Sequence, residues 1–339
     1  MINPETRAYI HKMVADGVVP GVSYAILHQG NVEQEVLGAA ELVPHYEKLK
    51  PNMLYDVASL TKVIGTTTVI LKLMEEKKID IDLPVKTYLP QFQDSRVTLR
   101  HLLTHTSNLQ GYIKNRNQLS ADALIKALFS TLKVGDGFEH RVVYADVGLI
   151  FAGLVIENFY GRPVQDVIQT EVLDPLEMKD STFTPRKEDC VPTEIEDQRG
   201  GLIRGEVHDP KGYILGRRCG SAGLFTSLRD MIHFAQWLMS SASDHPVLQP
   251  KTIDSLYADW TPNHRLGRSL GWDLRFTPQG RPLIFHTGYT GTLILVDKEK
   301  QDALIFLSNR VHPSSDNHEF IRRRDVLVGK YLREKEKYN

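Results

Sequence analysis

Ser59 and Lys62 stand one helical turn apart at the head of an apolar run, "DVASLTKVIGTTTVI" (56–70). The neighbours of the lysine there, Val57, Leu60, Val63, Ile64, Val69 and Ile70, are core-forming types. A lysine entering such a core is costly unless it is paired, deprotonated or employed. The chemistry that would employ it is nucleophilic, because a serine hydroxyl attacks only when an adjacent group takes its proton. A strand-like "MLYDVA" precedes Ser59. The hydroxyl is therefore expected at a helix N-terminus, where free N–H groups and the positive dipole end favour developing negative charge. Lys62, one turn on, shares its helix face. The competing reading makes Ser59 a helix cap and Lys62 a lysine reaching out to water.

The tetrad alone decides little, since about one Ser-x-x-Lys is expected by chance in a chain of this length. A second one, Ser130-Thr131-Leu132-Lys133, lies in an amphipathic segment before the loop "VGDGFEH", where a surface lysine needs no explanation. Two further groups favour the first. "VVYADVG" places Tyr144 and, two positions on, Asp146 at the entry to an apolar helix. "IFHTGYTGT" places His286, Thr287 and Gly288 after a short strand. Taken singly, Tyr144 reads as core and His286 as a turn histidine; together and in this order they point to a site.

That order, Ser-x-x-Lys, then Tyr-x-Asp, then His-Thr-Gly, resembles the serine β-lactamase and penicillin-binding-protein superfamily, in particular its class C β-lactamase-like branch. Four flanking stretches are similar to the family as well: "VPGVSYAILHQG", "HLLTHTSNL" with Asn108 in place of glycine, "VIENFYGRPVQDVIQTEVLDPLEMKDSTF" with Glu177 in place of glycine, and "GSAGLFTSLRDMIHFAQWLM". The likeness runs from about Gly17 to Arg310.

The resemblance implies a serine acyl-hydrolase that forms an acyl-enzyme at Ser59 with β-lactam, D-amino-acid peptide or ester substrates. Tyr144 and Lys62 would share the Ser59 proton; a phenol with an ordinary pKa of about 10 becomes a usable base only beside cations. Whether Tyr144 or a neutral Lys62 is the base stays open at this level. The backbone N–H groups of Ser59 and Tyr289 would form the oxyanion hole. Asp146, His286, Thr287 and Gly288 would contact substrate. Two departures bear on that substrate. Asp146 stands where asparagine is commoner; ionised aspartate only accepts hydrogen bonds and could instead pair with Lys62. His286 stands where β-lactamases carry lysine, and a mostly neutral imidazole is a poorer anchor for a carboxylate. Both departures make an esterase, or a peptidase or amidase on cell-wall fragments, at least as well supported as a β-lactamase.

Rival readings exist. Gly267-Arg268-Ser269-Leu270-Gly271 fits the G-x-S-x-G elbow of α/β-hydrolases, yet the elbow needs a strand before it and a helix after it. Here "PNH" precedes and strand-like "GWDLRF" follows. His101 and His105 have the spacing of a helical zinc pair, without the glutamate or a third ligand; His105 is expected to hold a helix end. No metal or organic cofactor is implied. A binding relative that acylates without turnover, as a penicillin sensor would, is the alternative outside catalysis.

The elements that must position these residues come from both chain ends. Asn3 reads as a helix cap with Pro4 the first helical residue, Ile10, Met13 and Val14 its apolar stripe, and Gly17 its stop. Val22 to His28 and Val32 to Leu37 read as a hairpin about Gln29-Gly30. "TLILVDKEKQDALIFLSN" reads as a second strand pair with a charged turn at Lys298 to Asp302, and a terminal helix follows from Asp316. The predicted fold is α/β: an antiparallel sheet flanked by helices, with an inserted all-helical domain. The expected boundaries are 1–78 and 205–339 for the α/β part and 79–204 for the insertion. Helical segments expected in the insertion are "RVTLRHLLTHTSNL", "SADALIKALFSTL" and "ADVGLIFAGLVIENFYG".

The bulk numbers exclude more than they assign. The 339 residues are 41% hydrophobic and 24% charged with a formal net charge of −1, which gives no reason to expect nucleic acid or an anionic membrane. Arg322 to Arg324 read as a solvated helix face, and Arg217 and Arg218 either as surface residues or as a carboxylate clamp. Cys190 and Cys219 form no metal or disulfide framework. No signal peptide or membrane span is evident, so a cytoplasmic location is expected, as a monomer or weak oligomer acting on a small ester, peptide or other small molecule.

Overall fold

The computed structural model describes residues 3–242 and 246–337. Seven strands form one antiparallel sheet, and they come from the two ends of the chain. The first end supplies β1 (Gly21–His28), β2 (Asn31–Glu41) and β3 (Glu47–Lys48). The last supplies β4 (Asp273–Phe276), β5 (Pro282–Gly288), β6 (Thr292–Asp297) and β7 (Asp302–Ser308). Their spatial order is β4-β5-β6-β7-β1-β2-β3. The ends therefore meet at β1 and β7, with Val22 opposite Ser308 and His28 opposite Asp302. Gln29 and Gly30 have φ of 47° and 84°, the left-handed pair that a tight two-residue hairpin turn requires. The return strand runs past the expected Leu37 to Glu41, because its far end pairs with β3.

Side-chain alternation along the strands divides the core. Val22, Tyr24, Ile26, Leu304 and Phe306 pack with Ile10 and Met13 of the first helix (Pro4–Ala15) and Phe320, Leu327 and Tyr331 of the last (His318–Lys335). The intervening Ala25, Leu27, Ala303, Ile305 and Leu307 face a larger core that includes the helix Leu228–Met239. Each fully buried Leu or Ile side chain is worth about 1.5–3 kcal/mol, so the sheet is held from both faces.

Two sequence expectations are corrected here. Asn3 makes no side-chain cap on the first helix. Glu334 of the last helix does this instead, accepting from the backbone N–H groups of Glu5 and Thr6, each at 2.7 Å. A carboxylate satisfies two orphan donors at the positive helix end at once, and it ties the chain termini together. In "RVTLRHLLTHTSNL" only Leu99–Leu103 is helical. His105 and Asn108, at φ of 57° and 44°, turn the chain out of it. The helices Ala121–Thr131 and Asp146–Tyr160 form as expected, the first capped by Ser120 and the second stopped by Gly161 at φ 65°. Short strand pairs also occur in this middle region, such as Leu109–Gln110 with Lys133–Val134.

Candidate active site

Ser59 follows a short strand, Tyr55–Asp56, that pairs with Phe225–Thr226. The connection is tight. Ala58 has φ 45°, a left-handed conformation unfavourable for a residue with a Cβ. The Asp56 carboxylate holds it there, accepting from Ala58 N–H at 2.8 Å and from His208 N–H at 2.7 Å. Helix begins immediately after Ser59, and Lys62 to Thr66 form a π turn before the α-helix Thr67–Glu75. π turns of this kind are rare and recur at functional sites. The helix N-terminus anticipated at Ser59 is therefore present.

Lys62 is 1% exposed, and each of its three N–H donors has an acceptor. Nζ lies 2.7 Å from Ser59 Oγ, 2.9 Å from the Ser221 carbonyl and 2.9 Å from Asp146 Oδ1. It also lies 5.4 Å from the centroid of the Tyr144 ring. The Ser221 carbonyl is held in turn by its neighbours, since Thr66 Oγ1 donates to Gly220 O at 2.6 Å and Gln165 to Cys219 O and Ala222 O. Burial disfavours the Lys62 ammonium, but Tyr144 and Asp146 outweigh it and hold its pKa above that of an ordinary lysine. Asp146 is the mirror case. Burial opposes its charge, yet Lys62 and Lys211, the latter at 3.0 Å, hold it well below the usual carboxylate range.

Tyr144 precedes the helix Asp146–Tyr160 by two residues and is half exposed. One side of its ring meets His105, with centroids 4.5 Å apart, and His286 lies 6.1 Å away. His105 fixes this loop: its carbonyl accepts from Val143 N–H at 2.9 Å and its Nδ1 from Ala145 N–H at 3.3 Å. That is more than the helix-end role expected of it.

β5 brings the third group. Thr290 Oγ1 donates to Asp56 O at 2.7 Å and Thr292 Oγ1 to Val57 O at 3.1 Å, stitching the strand end to the Ser59 turn. Gly288 makes this approach possible, because a Cβ there would sit 2.4 Å from Val57 O and 2.2 Å from Thr292 Oγ1. Ser59, Tyr144, Asp146, Thr287, Gly288 and Tyr289 line one cavity of about 770 Å³. His286 does not. It is 3% exposed on β5, lies edge-on to Trp272 and binds Thr287 O through Nδ1 at 3.0 Å. Burial, then Arg268 and Lys62, push its pKa well below the usual histidine value, so it is neutral.

The other candidates lie elsewhere. Ser269 is fully buried, in an irregular segment that leads into a strand instead of a helix. Both ring nitrogens of His101 are engaged, by Thr98 and Glu139, and His105 Nδ1 accepts from Ala145 N–H. Arg217 pairs with Asp166 and Arg218 with Glu157 and Asp122, and neither lines the cavity. Cys190 and Cys219 are buried free thiols. Sequence reasoning passed over Lys211, Asp56 and Ser221, whose only sequence signal is proximity to Pro210, Ser59 and Gly220. It also passed over the far cavity wall, which carries Glu194, Glu196, His208 and Arg310. His208 stacks on Tyr289, with ring centroids 5.6 Å apart.

A family model described as Beta-lactamase matches residues 6–328. The chain belongs to the beta-lactamase family. It is a serine acyl-hydrolase of the β-lactamase and penicillin-binding-protein type. A Salmonella typhimurium (strain LT2) protein named "Putative D-alanyl-D-alanine carboxypeptidase" is 26% identical, over 88% of this chain and 80% of that one. Among solved structures, EstCE1, "a hydrolase with promiscuous acyltransferase activity", superposes with a TM-score of 0.77 at 17% identity, covering 97% of both chains. The β-lactamase/D-alanine carboxypeptidase of Pseudomonas syringae gives 0.75 at 16%, again over 97% of both. These likenesses show that the fold is shared along nearly the whole chain. No helix among the described residues is long and apolar enough to cross a membrane.

Proposed function

We propose that Ser59 is the nucleophile of an acyl transfer to water, acting on a small ester or on an amide or peptide of a D-amino acid. One observation carries this reading: a buried lysine ammonium whose donors converge on Ser59 Oγ, the main-chain oxygen of Ser221 and a carboxylate, at the wall of an open cavity. No packing need explains a lysine in that place. Because Lys62 is held as a cation, the proton acceptor is the Tyr144 oxygen, with Lys62 favouring negative charge on it. Ser59 Oγ bonds to the substrate carbonyl carbon as its proton passes to Tyr144. The carbonyl electron pair moves to oxygen, facing the Ser59 and Tyr289 N–H groups. Collapse expels the leaving group, which takes the proton, and water then cleaves the acyl-enzyme by the reverse order of transfers. Side chains and peptide groups supply every step.

The substrate class follows from what lines the cavity. His286 is neutral and buried, so the carboxylate that a lysine at this position would anchor in a β-lactam has no partner there. Thr287 and Gly288 remain to contact the substrate. Of the relatives' printed activities, that of the hydrolase with acyltransferase activity fits this choice, whereas a D-alanyl-D-alanine substrate carries a free carboxylate of its own. The same proposal keeps 79–204 as a separate unit, with Tyr144 and Asp146 on it facing Ser59 and β5 on the other.

The test is a panel of p-nitrophenyl esters, D-amino-acid amides, D-alanyl peptides and a chromogenic cephalosporin, on wild type and Ser59→Ala. Turnover of esters or D-amides that vanishes in Ser59→Ala supports the proposal. A mass adduct on Ser59 with penicillin, without product release, would instead make the protein an acylating sensor.

A further inference from the structure

The far wall of the cavity, which the acylation steps leave unused, closes into a circuit of contacts around Tyr289. That residue opens the turn 289–291 between β5 and β6. Arg310, two residues past the end of β7, is 5% exposed. Its Nε donates to Tyr289 O at 2.8 Å, and its guanidinium carbon lies 4.4 Å from the centre of the Tyr289 ring. Its Nη1 reaches Ser315 O at 3.4 Å. The circuit then returns. Ser315 N–H donates to Glu194 Oε1 at 2.7 Å, Glu194 Oε2 meets His208 Nε2 at 2.8 Å, and His208 stacks on Tyr289. Among the described residues Arg310 makes no ion pair. Its buried charge rests instead on carbonyl oxygens and on the faces of Tyr289 and Phe320. Both the fork and the plane of the guanidinium are used, which a lysine cannot reproduce.

The rest of the turn is tied by other groups. Thr290 Oγ1 donates to Asp56 O, and Ser308 Oγ donates to Gly291 O at 2.8 Å. Gly291, at φ 110°, lets these partners close in, since a Cβ there would stand 2.4 Å from Ser308 Oγ and 2.7 Å from Arg310 Cγ. The Tyr289 ring is more than half exposed, so burial alone does not fix it. Its N–H is one of the two donors assigned to the substrate oxyanion. The other belongs to Ser59, whose turn the Asp56 carboxylate holds through Ala58. Two donors on separate segments act together only if both are aimed at one point before reaction begins. A misplacement of about 1 Å costs about 10²-fold. We propose that Arg310 is a positioning residue for the oxyanion hole: gripping Tyr289 at its carbonyl and its ring, it keeps the Tyr289 N–H aimed beside that of Ser59. This rests on the reading of Ser59 as nucleophile.

The test compares an ester whose turnover Ser59→Ala abolishes with its thionoester, in which sulfur replaces the carbonyl oxygen. Sulfur is a weak hydrogen-bond acceptor, so the hole favours the oxygen ester. In Arg310→Met, kcat/KM for the oxygen ester is expected to fall about 10–100-fold, mostly in kcat, and that for the thionoester by less than about threefold. Tyr289→Ala keeps the peptide N–H and deletes the gripped ring, a half-exposed group whose loss the fold tolerates. It is expected to lower the preference for oxygen by about threefold or more. An equal loss on both esters in Arg310→Met would leave Arg310 with packing alone and overturn the proposal. If Arg310→Met does not fold, an unmoved preference in Tyr289→Ala overturns it by itself. A wild type that shows no preference for oxygen would overturn the hole and the proposal with it. Persisting turnover in Ser59→Ala would refute the Ser59 reading, an outcome separate from these.

Discussion

The chain holds two Ser-x-x-Lys tetrads, and the fold treats them oppositely. At 59–62 the serine precedes a π turn, the lysine is 1% exposed, and its three donors are all spent inside the protein. At 130–133 the serine lies on the helix Ala121–Thr131 and its hydroxyl turns back to the Ala127 carbonyl at 3.3 Å. Lys133 has left the helix, is exposed, and reaches Gln93 at 2.9 Å. Spacing puts a hydroxyl and an ammonium on one helical face only if helix continues through both. At 130–133 it stops at Thr131. Burial then decides energetics: a dry ammonium needs partners, while a wet one takes water.

The sharpest way to break this comparison is to remove the first pair. Ser59→Ala and Lys62→Met are each expected to lower kcat by about 10³-fold or more, since members of a nucleophile–base unit fail together. Both variants should be checked for a retained fold by circular dichroism. If ester hydrolysis by Ser59→Ala stayed within tenfold of wild type, the distinction drawn between the tetrads would be empty. Next in size is Tyr144→Phe, which keeps the ring against His105 and deletes only the oxygen. A loss of about 10²–10⁴ in kcat is expected, with KM little changed. A loss confined to KM would make Tyr144 a substrate contact instead.

A smaller effect probes why the first lysine tolerates burial. Asp146→Asn removes the carboxylate 2.9 Å from Lys62 Nζ. Breaking a buried pair typically costs about 3–5 kcal/mol. Asp146 is partly open to water, so about 2 kcal/mol is expected from urea unfolding at pH 7. The pH dependence has a definite sign. The Asp146 pKa is lowered in the folded state, so its contribution is present above the ordinary aspartate value of about 3.9 and drains away as pH falls. The Lys62 pKa is raised, so its share is present below about 10.4 and is lost only as pH rises further. Wild type should therefore exceed Asp146→Asn by a constant margin between about pH 5 and 9, and by less below about pH 4. An equal margin at pH 3 would show that Asp146 acts by shape alone.

How legible this was from sequence depended on the range of the interactions. The hairpins were readable because strand alternation and the Gln29-Gly30 turn are local. Ser59, Lys62, Tyr144 and β5 were readable because each sits in a local motif whose order along the chain matches a family. The Asn3 cap failed because the group that caps the helix, Glu334, comes from the other end of the chain. Lys211 left no trace for the same reason: its charge matters beside Asp146, which the fold brings from far away in sequence. His286 was expected just after a short strand and lies within β5 instead, and the sequence could not say that it would be buried outside the cavity lining.

The smallest expected effect belongs to the second tetrad. Ser130→Ala with Lys133→Ala removes one long intrahelical hydrogen bond and one exposed contact to Gln93. Surface changes of this kind usually fall within about 0.5 kcal/mol, and alanine favours the helix at position 130. Wild-type kcat/KM and an unchanged urea midpoint are therefore expected. The comparison gains most from this control when it is run beside Ser59→Ala on the same ester. Two variants that delete the same hydroxyl from the same sequence pattern would then differ about a thousandfold in turnover. A measurable loss in the 130/133 pair would mean that helical context and burial do not separate the two sites, and that the short-range pattern carries the chemistry by itself.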